Sequence, residues 1–138
     1  MSTVIWTIVK TSDKTISDET DHLLIYKHAS KLDKLCSKLG VANLSSFHDN
    51  TDLAVNLMDE LADEDVETYK RKNEKWHDIS KGIESLESLI QHLERNEIKF
   101  GLFDKASSKE MIVELSEVRN WLAGKKDSSE GFHLCVVM

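Results

Sequence analysis

The chain has no proline, only five glycines and only two cysteines among its 138 residues. Few breakers interrupt it, which weighs against a loop-rich β architecture and favours helix. Cys36 and Cys135 lie far apart and form no CxxC pair, so neither a disulfide framework nor a zinc cluster is encoded; both read as small buried reduced thiols. No apolar run approaches the ~20 residues of a membrane span. Met1 to Trp6 lacks the basic-then-apolar order of a secretory leader, so a soluble, cytoplasmic protein away from membranes is expected. GxSxG, GxGxxG and the Walker loop are missing as well, and with them the usual glycine cradles for phosphate. No cofactor is expected.

Apolar residues make up 40% and charged residues 31%, a globular mixture, and the length suits one domain over residues 1–138. Two short stretches have strand character. In Thr3 to Val9, Val4, Trp6 and Ile8 alternate with Ile5, Thr7 and Val9; in Phe132 to Met138, Phe132, Leu134, Val136 and Met138 alternate with His133, Cys135 and Val137. Each needs a partner, and the comparable one lies at the opposite end of the chain. The expected fold is α+β: the two terminal strands paired in a small sheet, with four to five helices inserted between them and packed on one face. A two-stranded sheet is marginal alone. Either Ile98 to Phe103 adds a strand or an exposed edge pairs with a second subunit, which makes a homodimer an expected alternative.

Between the strands, Thr11 to Thr20 is polar and predicts a loop, with Thr20 or Asp21 capping a first helix. Ile25, Ala29, Leu32, either Leu35 or Cys36, and Leu39 give that helix one apolar face, four lysines fill the other, and Gly40 stops it. A connector from Val41 to Asn50 carries two apolar anchors, Leu44 and Phe47. Leu53, Leu57 and Leu61 predict a second helix, and Val66, Tyr69 and Trp76 its continuation after a break. The plainest stripe is Ile79, Ile83, Leu86, Ile90 and Leu93, capped by Asp78 or Ser80 and ended by Asn96. Ser107 and Glu110 form a capping box for a last helix, with Met111, Leu115, Val118 and Leu122 inward and Gly124 as its stop.

Charge is distributed unevenly. Asp52, Asp59, Glu60, Asp63, Glu64, Asp65 and Glu67 lie between Thr51 and Tyr69 with no basic residue among them, and the whole chain carries −7. A negative chain whose lysine stripe lacks arginine and aromatic neighbours is not expected to bind nucleic acid. Concentrated carboxylate instead suits a docking face for a basic protein partner, formed by Asp59, Glu60, Asp63, Glu64, Asp65 and Glu67 with Trp76 as an aromatic anchor. That is the pattern of a non-enzymatic inhibitor or immunity-type protein. The alternatives are a homodimeric structural or regulatory domain and a small metal-assisted, hydrolase-like enzyme. The enzyme's residues would be His48, Asp49, Asp52, His77 and Asp78, two His-Asp pairs that matter only if the fold brings their loops together. The six histidines include no HxxxH, HxH or HExxH spacing, so no metal helix is encoded locally.

Overall fold

The computed structural model describes residues 3–12, 14–51, 68, 73–100 and 108–138. The two expected strands exist and pair antiparallel: β1 (Val4–Lys10) lies against β4 (Gly131–Val137), from Val4 opposite Val137 to Lys10 opposite Gly131. Alternation gives β1 two faces. Ile5, Thr7 and Val9 are buried, whereas Val4, Trp6 and Ile8 are half-buried. Strand β4 is buried on both faces from Gly131 to Val136.

The sheet is larger than expected. The polar stretch predicted as a loop is a strand, β2 (Thr15–His22), which folds back on β1. Thr20 and Asp21, the predicted caps, lie within it. A second addition, β3 (His48–Asp49), runs parallel to β4, so the four-stranded order is β2-β1-β4-β3. The segment between the terminal strands is therefore not wholly helical.

Four α-helices are present among the described residues: α1 (Leu23–Lys27), α2 (Ala29–Leu39), α3 (Ile79–Arg95) and α4 (Ser108–Lys125). The first predicted helix is two, broken at His28. Gly40 ends α2 with φ of 75°, a left-handed turn in which a Cβ would be strained. Asp78 caps α3 by accepting the Ser80 N–H at 2.9 Å, and Asn96 closes it. Gly124 does not stop α4, which runs one residue further and continues into a short 3₁₀ turn over Lys126–Ser128. Of the predicted capping box, Ser107 lies outside the described residues and Glu110 sits in the first turn of α4. The predicted helix bearing Leu53, Leu57 and Leu61, its Val66 and Tyr69 continuation, and the second half of the Ile98 to Phe103 run, beyond Phe100, also lie outside them.

One sheet face carries the core. Ile5 and Val9 of β1 with Phe132, Leu134 and Val136 of β4 join Ile25, Leu32 and Cys36 from α1 and α2, Leu86, Leu89 and Leu93 from α3, and Met111, Leu115, Val118 and Leu122 from α4. Leu44 and Phe47, the predicted anchors, belong to it too. Burial pushes the Cys36 thiol up to about 11, so it stays protonated and inert. The start of α1 is held from a distance. His22 precedes it without capping it, and Glu114 of α4 accepts the Leu24 and Ile25 N–H groups at 3.2 and 3.1 Å. Among the described residues no helix is long and apolar enough to cross a membrane.

Candidate functional site

The opposite sheet face is where polar groups gather, and register decides which ones. Ile8 lies opposite His133 and Trp6 opposite Cys135 across β1 and β4, while Ser17 of β2 lies beside Ile8 and Asp49 of β3 beside Cys135. A further segment joins them. His77 forms an antiparallel bridge to Phe132, its N–H donating to the Phe132 carbonyl at 2.9 Å and its carbonyl accepting the Phe132 N–H at 3.0 Å. The fold therefore brings both His-Asp pairs alongside β4, β3 in parallel and His77 by this bridge.

Their carboxylates are occupied with structural work. Asp49 is buried and accepts the Thr51 N–H at 2.9 Å through Oδ1 and the Lys75 N–H at 2.8 Å through Oδ2, tying the 75–77 segment to the sheet. Asp78 caps α3. The imidazoles pack on rings: His48 stacks on Tyr26 with centroids 6.4 Å apart, and His77 meets the edge of Phe47 at 5.6 Å. Burial holds both histidines below their ordinary range, against the pull of Asp33 on His48 and of Asp49 on His77; Lys75 lowers His77 further. Neutral imidazole is the metal-binding form. Yet no group of three or more His, Cys, Asp or Glu able to hold a metal ion exists among the described residues. Asp52, the fifth residue of that reading, lies outside them.

Sequence reasoning missed the role of His133. It is 1% exposed, and its Nδ1 lies 3.0 Å from the Lys75 carbonyl. A carbonyl only accepts, so Nδ1 carries the proton in this contact. Asp49 Oδ2 and Glu74 Oε2 each lie 4.0 Å from the ring, on its Nδ1 and Nε2 sides. Trp76 stacks over the imidazole with centroids 4.2 Å apart and planes 24° apart. The aromatic anchor of the sequence reading is thus half-buried against β4. The six carboxylates assigned with it, Asp59, Glu60, Asp63, Glu64, Asp65 and Glu67, lie outside the described residues.

Beside this cluster is a pocket of about 140 Å³ lined by Trp6, Ile8, Ser17, Glu19, Asp49, Glu74 and Cys135. Three acidic residues line it, and no lysine or arginine is among its described lining residues. Its rim on β2 is irregular: the pairing of β1 with β2 slips between Ile5 and Thr7, opposite Asp18 to His22. Across this bulge Asp18 Oδ1 accepts the Thr20 N–H at 3.2 Å and the Thr20 hydroxyl at 2.8 Å. The Trp6 indole N–H donates to Asp21 at 2.7 Å. The bulge turns Asp21 toward the indole. Ile16 is the lone aliphatic residue of β2, so its hydropathy gave no sign of this rim.

No family model matches the chain, and no curated protein or solved structure is detectably similar to it.

Proposed function

We propose that the protein is a non-enzymatic binding module that takes a cationic group of a basic protein partner, an ammonium or guanidinium, into the pocket between Glu19, Asp49 and Trp6. The observation that carries this reading is the lining itself, three acidic residues and Trp6 with no basic side chain among the described lining residues. Carboxylates and an aromatic ring together favour a cation on Coulombic and quadrupole grounds. Size narrows the ligand. At about 140 Å³ the pocket falls below the ~300 Å³ at which sites for whole small molecules begin, and suits a side-chain headgroup. The acidic stretch from Asp59 to Glu67 extends the same reading to a wider docking face. Neutral amides at Asp59, Glu60, Asp63 and Glu64 are expected to weaken capture of a basic partner at low salt.

The direct test is titration with agmatine, followed through the Trp6 indole N–H signal by NMR. We expect a saturable shift at low salt, suppressed at ~0.5 M salt, where screening acts within a few ångströms. Glu19→Gln is expected to weaken binding about fivefold, since an exposed charge pair is worth at most ~1 kcal/mol. A Trp6 signal that does not move, or moves equally in the variant, rejects the pocket.

The meeting of the two His-Asp pairs beside β4 supports a second reading, the metal-assisted hydrolase at His48, Asp49, Asp52, His77 and Asp78. A metal there would compete with two backbone donors for Asp49. A melting temperature raised by zinc, manganese or magnesium, and lost in His77→Ala, would favour it.

A further inference from the structure

Strand β2 ends the sheet order, and no described strand pairs with its outer flank. Thr15, Ser17, Glu19, Thr20 and Asp21 are exposed along it. An open edge of this kind presents unpaired backbone donors and acceptors, and proteins usually guard it with proline or lysine. Neither occurs between Thr15 and His22. The guard is negative charge alone, from Asp18, Glu19 and Asp21, with Lys14 in the hairpin turn and Lys10 on the neighbouring β1. Two copies of β2 laid side by side would bring these carboxylates together. A basic strand would be drawn to the same edge.

The geometry points to a partner that binds as an extended basic segment, adding a strand to β2 and laying a lysine or arginine side chain across Ser17 into the pocket. This rests on the pocket reading and specifies its partner. Adjacent strands lie ~4.8 Å apart, and a lysine's four-carbon stem, a little longer than one such spacing, carries its ammonium over Ser17 to the near rim of the pocket beside Glu19. Ser17, which sits between the sheet edge and the Trp6 and Ile8 row, is small enough to let that stem pass over it. The regular part of the edge is Thr15 to Asp18, because the bulge begins beyond it and Thr20 spends its N–H on Asp18. Pairing is therefore short, and alternation places every second partner residue on the pocket side. Charge sets the polarity. The basic residues lie toward Glu19 and Asp21, away from Lys14.

Two synthetic peptides of equal charge test this, Thr-Lys-Val-Lys-Val-Lys-Thr and the same sequence with both valines replaced by proline. Proline removes backbone donors and disfavours the ladder while leaving the lysines in place. The valine peptide is expected to bind at least tenfold more tightly, to slow hydrogen exchange at one or more amides between Thr15 and Asp18, and to shift the Trp6 indole signal. Equal affinities with no β2 amide slowed would overturn strand addition. If agmatine still shifts Trp6 in that case, the pocket reading stands alone; if neither peptide nor agmatine shifts it, both fall. Slowed β2 amides in the protein alone, with mass rising with concentration, would show that the edge pairs with a second copy and reject the basic segment.

Discussion

Gly82 is the residue whose smallness is most constrained. It faces β4 from α3, and a Cβ built there would lie 2.3 Å from Cζ and 2.6 Å from Cε1 of Phe132. That ring cannot swing away, being fully buried with Phe47 on it at 5.1 Å between centroids. In an open helix, glycine to alanine gains up to ~1 kcal/mol. Here we expect Gly82→Ala to cost ~1–3 kcal/mol through overpacking, measured by urea unfolding. A stabilised variant would mean that β4 shifts freely. His48 and His77 set a second expectation. Both are held below the ordinary histidine range of 6.5 in the folded protein, so the unfolded chain takes up protons first as pH falls. Their contribution to stability is complete above pH 6.5 and is lost on acidification through and below it. Thermal melts between pH 7.5 and 5 are expected to show a falling midpoint, with a flatter profile in His48→Gln combined with His77→Gln. The sequence displayed these two histidines, each beside an aspartate. The local bond from the Thr51 N–H fits a capping role for Asp49, but the sequence could not reveal that Asp49 also accepts the Lys75 N–H, a donor that comes near only once β3 and the His77 bridge flank β4.

Single elements differ in how far the sequence marks them. Helix α3 announced itself through its apolar stripe and Asp78 cap, and α2 through Gly40, because burial and capping leave residue-type signatures. Strand β2 did not. It pairs on one side, turns Ile16 and His22 toward the core face and otherwise meets solvent, so hydrogen bonding to β1 rather than hydropathy makes it a strand. The acidic pocket rim was illegible for the same reason. Nothing in the residue types marks the break at His28 either. Helix α1 has five residues, too few to be stable alone. Its second and third N–H donors, those of Leu24 and Ile25, depend on Glu114, which makes α4 its anchor. We expect Glu114→Ala to cost ~1–2 kcal/mol by leaving both donors unsatisfied, and Glu114→Gln to cost less, since the amide oxygen still accepts. Burial outweighs those hydrogen bonds and raises the Glu114 carboxyl above its ordinary 4.5. The folded state therefore binds this proton more readily than the unfolded one. That contribution grows on acidification toward pH 4.5 and fades as pH rises through the raised value, opposite in sign to the histidines. Melts of Glu114→Gln against the native chain between pH 4 and 6.5 isolate it.

At the scale of the whole molecule, the pairing of the terminal strands was the most legible feature. Two apolar alternations with no other partner of their kind had to meet, and their antiparallel sense is seen only in the folded chain. The helices, cued by stripes such as Met111, Leu115, Val118 and Leu122, then had one sheet face to cover. What the other face gathers was hidden because its members, Ser17, Glu19, Asp49, Glu74 and Cys135, come from four separate stretches of chain. The sheet order has a further consequence in time. Strand β4 lies in the middle of the sheet, between β1 and β3, yet it leaves the ribosome long after both. Until it arrives, the β1–β2 hairpin has no partner for its inner edge, β3 has nothing to run beside, and Phe132 is missing from the notch at Gly82. The nascent chain must therefore wait, with β1 exposed and helices docked on an incomplete floor, and folding closes in a late step that joins its most distant segments.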